Sequence, residues 1–380
     1  MLGAFGVAKL IGFVVFMYLL HWSGDFKHMR PRWGGGAHPW DVLASWDGYW
    51  YEQVAVHGYH PESIAAVGGV QHLHENGAAF FPLFPALIRL AMECTGLGSF
   101  GAGMLVSVLS SFVAAVGIYL VAAKLRGHKA GIVAAVIWAV FPGSGVEWAV
   151  YSDSLFVALA AFTCYSVMER RWLTAGVLTF LAGLNRPTAG ALIAALGVVG
   201  LLALIKRKDG WRPLAAILMS PWGMLAYVAW VGHKMGSYGG YFAIERYPWY
   251  HYFDWGRFTW HMTLTTMLGR TPEHNNNHPV ANQIALFVLF AVPILLVLLL
   301  RMRPPLVLVV FTLVTIVMVV PNHGLYGNMS RYLLPAFPLY IPLAFALRRL
   351  SWLNLALILG VAAAASGWYA GYVLFQLGVP

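Results

Sequence analysis

Apolar runs, each about long enough for a helix to cross a lipid bilayer, constrain this chain most. A transmembrane helix needs about 20 mainly apolar residues. About eleven runs reach or approach that length, and we predict a transmembrane helix in each: residues 4–20, 100–123, 130–141, 153–168, 173–184, 189–205, 214–231, 281–300, 306–320, 333–347 and 353–374. Only 10% of the residues are charged, against about 25% in soluble domains. We therefore predict an all-α, polytopic helical membrane protein with a single transmembrane domain over residues 1–380.

The basic residues of the short loops predict the orientation in the membrane. Every second short loop is basic, as shown by Lys124, Arg126 and Lys129; Arg170 and Arg171; Lys206, Arg207, Lys208 and Arg212; Arg301 and Arg303; and Arg348 and Arg349. Lys and Arg resist translocation, so these loops and the N-terminus are predicted to be cytoplasmic in a multi-pass cell-membrane protein. The net charge of +10 is spread over the loops, which argues against a nucleic-acid partner.

This topology places two long segments on the outer face, residues 21–99 and 232–282. Both are rich in Trp, Tyr and His, a composition typical of elements that lie at a membrane surface. The second contains a predicted polar turn at residues 274–277. We expect the two segments to be interfacial loops above the bundle, with the lipid bilayer as the first partner.

The first segment contains the acid-bearing motif WDGYWY, residues 46–51. In a helix, Trp46 and Trp50 share one stripe, while Asp47 and Tyr51 share another. We expect the aromatic stripe to rest on the membrane and Asp47 to turn toward whatever lies above the bundle. Spacing alone leaves a second interpretation open, in which Asp47 is a surface charge or a helix cap.

Further along the same segment, the run AFFPLFP at residues 79–85 is too aromatic for a solvated loop. Pro82 and Pro85 are expected to interrupt any helix there. We therefore predict a re-entrant or interfacial element, which is tolerated at membrane depth where protein covers its backbone.

Taken together, these motifs resemble the PIG-V-like mannosyltransferase family, which includes GPI mannosyltransferase II and bacterial relatives. WDGYWY is followed by HGY at residues 57–59 and then by AFFPLFP, as in that family. Three further stretches fit in order: YSDSLF at 151–156, NRPTAG at 185–190 and SRYLLPAFPLY at 330–340. Asp153 stands where the family usually has Glu, and the stretch 236–260 has an unusual number of aromatic residues.

The resemblance implies a GT-C type fold and an enzyme that transfers a hexose, most readily mannose, with inversion. It implies a polyprenyl-phosphate sugar as donor and a glycan or glycolipid as acceptor. By motif position it implies Asp47 as the catalytic base and Glu75 as a second acid of the site. The positions implied to bind substrate are Trp46, Tyr51, Asp153, Arg186, Arg331 and Tyr332.

The residues are consistent with that chemistry. One carboxylate suffices to take the acceptor proton, and a guanidinium can grip the departing phosphate with two hydrogen bonds. Arg186 and Arg331 are the basic residues of the short outer loops, and we expect Arg331 to bind the phosphate in preference to Arg186. The alternative for both is snorkelling to the outer headgroups.

Other polar residues have simpler interpretations. Glu147 is expected to be a solvated loop charge, and Ser152 and Asp153 to begin a helix as cap and dipole partner. His72 and His74, with the nearby carboxylate, do not form a recognised metal motif, so no metal ligands are assigned, although a divalent ion is left open. No glycine-rich nucleotide loop is present, and we expect no cofactor besides the lipid-linked donor.

A transporter or lipid flippase is the main alternative function. It predicts paired broken helices and charges at mid-bilayer, whereas the acids and arginines of these motifs gather at the predicted outer end. A membrane scaffold would not explain the acid-bearing motif.

Overall fold

The computed structural model describes residues 1–270 and 278–380, and the predicted polar turn at 274–277 lies outside them. Within these ranges the chain is almost entirely helical. The α-helices are α1 (Leu2–Ser23), α2 (Asp47–His57), α3 (Leu83–Thr95), α4 (Ser99–Arg126), α5 (His128–Val140), α6 (Asp153–Met168), α7 (Trp172–Gly183), α8 (Gly190–Ile205), α9 (Arg212–Met219), α10 (Trp222–Lys234), α11 (Gly240–Arg246), α12 (Arg257–Met267), α13 (Pro279–Arg301), α14 (Leu306–Val319), α15 (Met329–Tyr332), α16 (Tyr340–Leu347) and α17 (Trp352–Ser366). A π-helix continues α17 over Gly367–Leu377.

The predicted spans correspond to the apolar helices of the structure. Among the described residues, 6 helical stretches are long and apolar enough to cross a membrane: Leu2–Ser23, Ser99–Arg126, Pro187–Ile205, Arg212–Lys234, Pro279–Arg301 and Trp352–Leu377. Shorter apolar helices lie at the other predicted spans, namely His128–Val140, Asp153–Met168, Trp172–Gly183, Leu306–Val319 and Phe337–Leu347. The all-α, multi-pass membrane architecture is therefore confirmed.

Helix α4 packs against α5, α6 and α3. Helices α6 and α7 pack together, α8 packs against α14, and α1 packs against α17 and its π-helical continuation. Apolar side chains remain exposed on the outside of these helices, including Leu10, Val14, Ile205, Phe287, Ile294 and Val361. The surface of a soluble protein would not carry so many exposed apolar side chains, and we infer that the lipid bilayer covers them.

The basic loops meet at one end of the bundle. The Arg126 guanidinium donates to the Met302 carbonyl oxygen at 3.3 Å, and Arg348 donates to the Arg126 carbonyl oxygen at 3.0 Å. Lys129 donates to the Leu350 carbonyl oxygen at 2.6 Å. The predicted alternation of loops thus matches the geometry, while the assignment of this end to the cytoplasm stays a prediction.

The prediction for Glu147 was wrong. Its carboxylate is buried and lies 3.0 Å from the Lys9 ammonium, which in turn donates to the Ser144 carbonyl oxygen at 3.0 Å. The Trp148 ring covers the same ammonium at 3.9 Å. Sequence could not reveal this pair because its members are far apart in the chain, and α1 supplies one charge to the turn before α6.

The expectation that the two prolines break any helix was also wrong. Pro82 caps α3 and Pro85 lies in its first turn. Proline is tolerated there because the first N–H groups of a helix have no intrahelical acceptor. Helix α3 packs against α2 and α4, so the aromatic run forms the interior wall of the first long segment.

Candidate active site

The sharp start of α2 places Asp47. Trp46 adopts a positive φ of 58°, and the helix begins at the next residue. The Tyr151 hydroxyl donates to the Ser45 carbonyl oxygen at 3.3 Å, which ties this turn to the residues that precede α6. The motif is thus helical from Asp47, the first residue of α2, which lies at the end where the helix dipole favours a negative charge.

Asp47 belongs to a cluster of alternating charges drawn from four separate parts of the chain. The Arg331 guanidinium pairs with Asp47 and donates to Asp153 Oδ2 at 3.2 Å. The Arg186 guanidinium donates to the same Asp153 oxygen at 2.5 Å and to Ser152 Oγ at 3.2 Å. Two carboxylates and two guanidinium groups therefore balance one another.

Burial divides the cluster into an inner and an outer part. The side chains of Asp153 and Arg331 are each 1% exposed, whereas those of Arg186 and Asp47 are 11% and 22% exposed. Arg331 is engaged on a further side, because it donates to the Pro380 main-chain oxygen at 2.8 Å. The inner pair can therefore orient the site, and the outer pair can meet a ligand.

This arrangement does not support the ranking of Arg331 above Arg186 as the phosphate ligand. Arg331 already contacts two carboxylates and a carbonyl oxygen inside the protein, whereas Arg186 reaches a cavity surface. The role expected for Asp153 also changes. It begins α6 as expected, but its carboxylate also bonds the two arginines. Ser152 is the N-cap residue, yet its side chain makes no capping hydrogen bond.

A cavity of about 100 Å³ lies over the outer part of the cluster. Asp47, Arg186, Tyr51 and Tyr332 contribute to its wall, which is completed by Ala79, Phe80, Phe81, Asn185, Pro187, Glu245, Trp249 and His251. The first long segment, the loops of both arginines and the second long segment thus meet at one place. Residues of both long segments therefore line one cavity, while their place on the outer face stays a prediction.

The two tyrosines of this wall are neutral hydrogen-bonding groups. The Tyr51 hydroxyl lies 2.5 Å from Ser152 Oγ, and burial raises its pKa. Burial likewise raises the pKa of Tyr332 to about 12, against the opposing effect of Arg331. Neither phenol can therefore act as a base near neutral pH.

The aromatic residues of the motif pack on protein, not on the membrane as expected. The Trp46 indole donates to the Phe375 carbonyl oxygen at 3.3 Å. The Trp50 ring stacks with the Phe80 ring, with their centroids 6.2 Å apart. It meets the Trp249 ring edge-on, with their centroids 6.1 Å apart. Trp50 thus joins the first long segment to the second through its contact with Trp249.

Glu75 lies apart from the cluster. It forms an ion pair with Arg32 and lines a larger, open cleft. Within the described ranges, no group of three or more His, Cys, Asp and Glu side chains could hold a metal ion, so His72, His74 and Glu75 do not form such a group there.

Sequence reasoning missed Glu245 and His251. The Glu245 carboxylate accepts from the Tyr241 hydroxyl at 2.9 Å and lies 3.5 Å from His251 Nδ1. Both side chains line the cavity beside Asp47. The density of aromatic residues in stretch 236–260 was the only signal, and it did not single out the two polar residues.

Comparison with known proteins agrees with this geometry. Residues 79–232 match the family model described as dolichyl-phosphate-mannose-protein mannosyltransferase, which covers less than half of the chain. No curated protein matches the sequence.

Solved structures share the fold over nearly the whole chain. ArnT from Cupriavidus metallidurans bound to undecaprenyl phosphate is 17% identical, with a TM-score of 0.54 over 95% of this chain and 62% of that one. The archaeal oligosaccharyltransferase AglB from Archaeoglobus fulgidus, in complex with an inhibitory peptide and a dolichol-phosphate, is 13% identical, with a TM-score of 0.54 over 100% of this chain and 56% of that one. The chain thus spans about three-fifths of the length of these proteins. The chain therefore shares its fold with these two proteins.

Proposed function

We propose that this protein is a membrane glycosyltransferase that takes its sugar from a polyprenyl-phosphate donor. The observation that carries the proposal is the cavity whose wall includes the partly exposed carboxylate of Asp47 and the partly exposed guanidinium of Arg186. The two structural neighbours named above bind undecaprenyl phosphate and dolichol-phosphate, which supports a lipid-linked donor. The match to a dolichyl-phosphate-mannose family model and the PIG-V-like motifs support mannose as the sugar.

In the proposed reaction, an acceptor hydroxyl attacks C1 of the sugar and displaces the phosphate with inversion. Asp47 takes the hydroxyl proton as the new C–O bond forms. The bond between C1 and the phosphate oxygen breaks, and the departing phosphate gains one negative charge. Arg186 is placed to offset this charge, because a guanidinium binds phosphate oxygens through paired, charge-assisted hydrogen bonds.

The inner charges hold this pair in position. Arg331 pairs with Asp47 and also contacts Asp153, which bonds Arg186. One buried network therefore fixes Asp47, the proposed base, relative to Arg186, the residue proposed to bind the phosphate. Precise placement of reacting groups is a large part of enzymatic rate enhancement.

The experiment is sugar transfer from polyprenyl-phosphate mannose by the purified, monodisperse protein. We expect Asp47→Asn to lower the turnover about 10²–10⁴-fold and to leave donor binding intact. The variant keeps the size of the side chain but cannot accept the proton. Glu75→Gln is the matched control, since Glu75 lies outside the cluster, and we expect a milder loss.

Wild-type turnover in Asp47→Asn, with an inactive Glu75→Gln, would transfer the role of base to Glu75. Wild-type turnover in both variants would rule out this mechanism. Transfer of the intact lipid across the bilayer, without donor cleavage, would instead favour a flippase.

A further inference from the structure

An open cleft of about 710 Å³ adjoins the cavity that contains Asp47. One wall is the strap, which we define as residues 245–252, the end of α11 and the loop that follows it. The opposite wall includes Arg32, Trp33 and the loop that carries Glu75. A cleft of this size is within the usual range for small-molecule sites, whereas the cavity of about 100 Å³ is below it.

The cleft reaches the immediate neighbour of the proposed base. The Trp46 backbone N–H donates to the Arg32 carbonyl oxygen at 2.9 Å. The rings of Trp33 and Trp46 meet edge-on, with their centroids 5.0 Å apart. A ligand in the cleft therefore lies beside the turn that begins α2 at Asp47.

The strap presents different residues to the two spaces. Glu245, Trp249 and His251 line the cavity. Arg246, Tyr247, Pro248, Tyr250 and Tyr252 line the cleft. One short segment thus separates the reacting centre from a surface of tyrosines and a guanidinium.

Arg246 supplies the surplus charge of the cleft. Its side chain is exposed, and its guanidinium carbon lies 5.1 Å from the centroid of the Tyr252 ring. Within the described ranges it has no carboxylate within 4.0 Å, whereas Arg32 is paired with Glu75. Two guanidinium groups against one carboxylate leave the cleft with a formal charge of +1.

We propose that this cleft binds the acceptor, and that the acceptor is a saccharide with a phosphate or carboxylate group. Tyrosine rings offer flat apolar faces for the C–H surfaces of a sugar, and their hydroxyls can bond the sugar hydroxyls. Arg246 holds the anionic group through charge-assisted hydrogen bonds. The inference rests on the proposed transferase function and names its second substrate.

The test measures the binding of mannose 6-phosphate and of mannose to the full-length protein in phosphatidylcholine nanodiscs. We expect mannose 6-phosphate to bind more tightly. Arg246→Ala should weaken it about 10- to 100-fold and leave mannose unchanged, as expected for one hydrogen bond to a charged group. Arg257→Ala is the matched control, because Arg257 is an exposed arginine at the start of α12 outside the cleft.

A second arm distinguishes a soluble from a lipid-borne anion. If a lipid headgroup can enter the cleft, phosphatidylglycerol in the nanodisc should displace mannose 6-phosphate, and this displacement should depend on Arg246. If only a soluble anion can enter, phosphatidylglycerol should leave the binding of mannose 6-phosphate unchanged. Equal affinity for mannose and mannose 6-phosphate, or an unchanged preference in Arg246→Ala, would overturn the inference.

The readouts separate this inference from the proposed function. Asp47→Asn should lower transfer about 10²–10⁴-fold and retain the preference for mannose 6-phosphate. Wild-type protein that shows the preference but never cleaves the donor would refute the transferase alone. Donor cleavage without the preference would refute the acceptor assignment alone.

Discussion

At the scale of single residues, burial assigns different roles to two arginines that look alike in the sequence. Both lie in short loops next to predicted spans, and the resemblance implies that both bind substrate. The structure leaves Arg186 at the cavity surface and surrounds Arg331 with Asp47, Asp153 and the Pro380 main-chain oxygen. A buried charge with several partners contributes mainly to the order of the site.

Substitution by lysine should separate the two roles, because lysine keeps the charge and loses the planar fork. We expect Arg186→Lys to raise the donor KM several-fold with little change in thermal stability. Arg331→Ala should destabilise the protein by about 3–5 kcal/mol, since Asp47 and Asp153 lose a buried partner. Arg331→Lys should lower the melting temperature less.

Donor kinetics and thermal unfolding in detergent are the two measurements. The opposite assignment predicts a raised donor KM in Arg331→Lys at unchanged stability, and normal kinetics in Arg186→Lys. That result would make Arg331 the residue that binds the donor phosphate.

At the scale of elements, the turn after α5 supports the segment that carries Arg331. A Cβ atom added at Gly143 would lie 2.5 Å from the Ser330 carbonyl oxygen and 2.6 Å from the Arg331 Cα atom. Real Cβ atoms do not come this close, so backbone must move. The glycine therefore permits the close approach that brings Arg331 to Asp47.

Gly143→Ala should consequently shift Arg331 away from the cluster. Overpacking of this kind typically costs about 1–3 kcal/mol, and we expect donor turnover to fall in addition. Gly197→Ala in α8 is the control, since a Cβ there meets nothing within 4 Å. A helical glycine with open space around its Cα atom, when replaced by alanine, should leave stability unchanged or raise it by up to about 1 kcal/mol.

Melting temperature and turnover of the two variants give the comparison. If Gly143→Ala were as stable and active as Gly197→Ala, the α5–α6 turn would have no role in the placement of Arg331.

At the scale of the whole molecule, the two ends of the bundle differ in charge and in cavities. Basic loops contact one another at one end, while the charge cluster and both long segments occupy the other. The positive-inside rule assigns the basic end to the cytoplasm. The cavity would then open on the outer face, where lipid-linked donors and glycan acceptors would have to be presented.

Cysteine labelling tests this orientation in a Cys94→Ser background, because Cys94 is exposed and Cys164 is buried. Ala65 and Tyr238 are exposed in the two long segments, and Lys208 is exposed in a basic loop. We expect cysteines at positions 65 and 238 to react with an impermeant maleimide in intact cells. A cysteine at position 208 should react only after permeabilisation. Labelling of this cysteine in intact cells would show that the predicted topology is inverted.

The sequence by itself determined the all-α membrane architecture and the approximate positions of the apolar spans, and it predicted which loops share an end of the bundle. It could do so because the lipid requires about 20 apolar residues per span, a local property of the chain. It also singled out Asp47, Arg186, Arg331 and Asp153, through motifs whose role in catalysis stays a prediction.

Only the tertiary structure decided which of these residues reach the cavity. Exposure and pairing depend on contacts between distant segments, such as Arg331 with Asp47 and Lys9 with Glu147. For the same reason the structure separated Glu75 from the cluster and brought Glu245 and His251 to the cavity. Hydrophobic periodicity reports the medium around a helix, whereas the partner of a buried charge is chosen by packing across the whole fold.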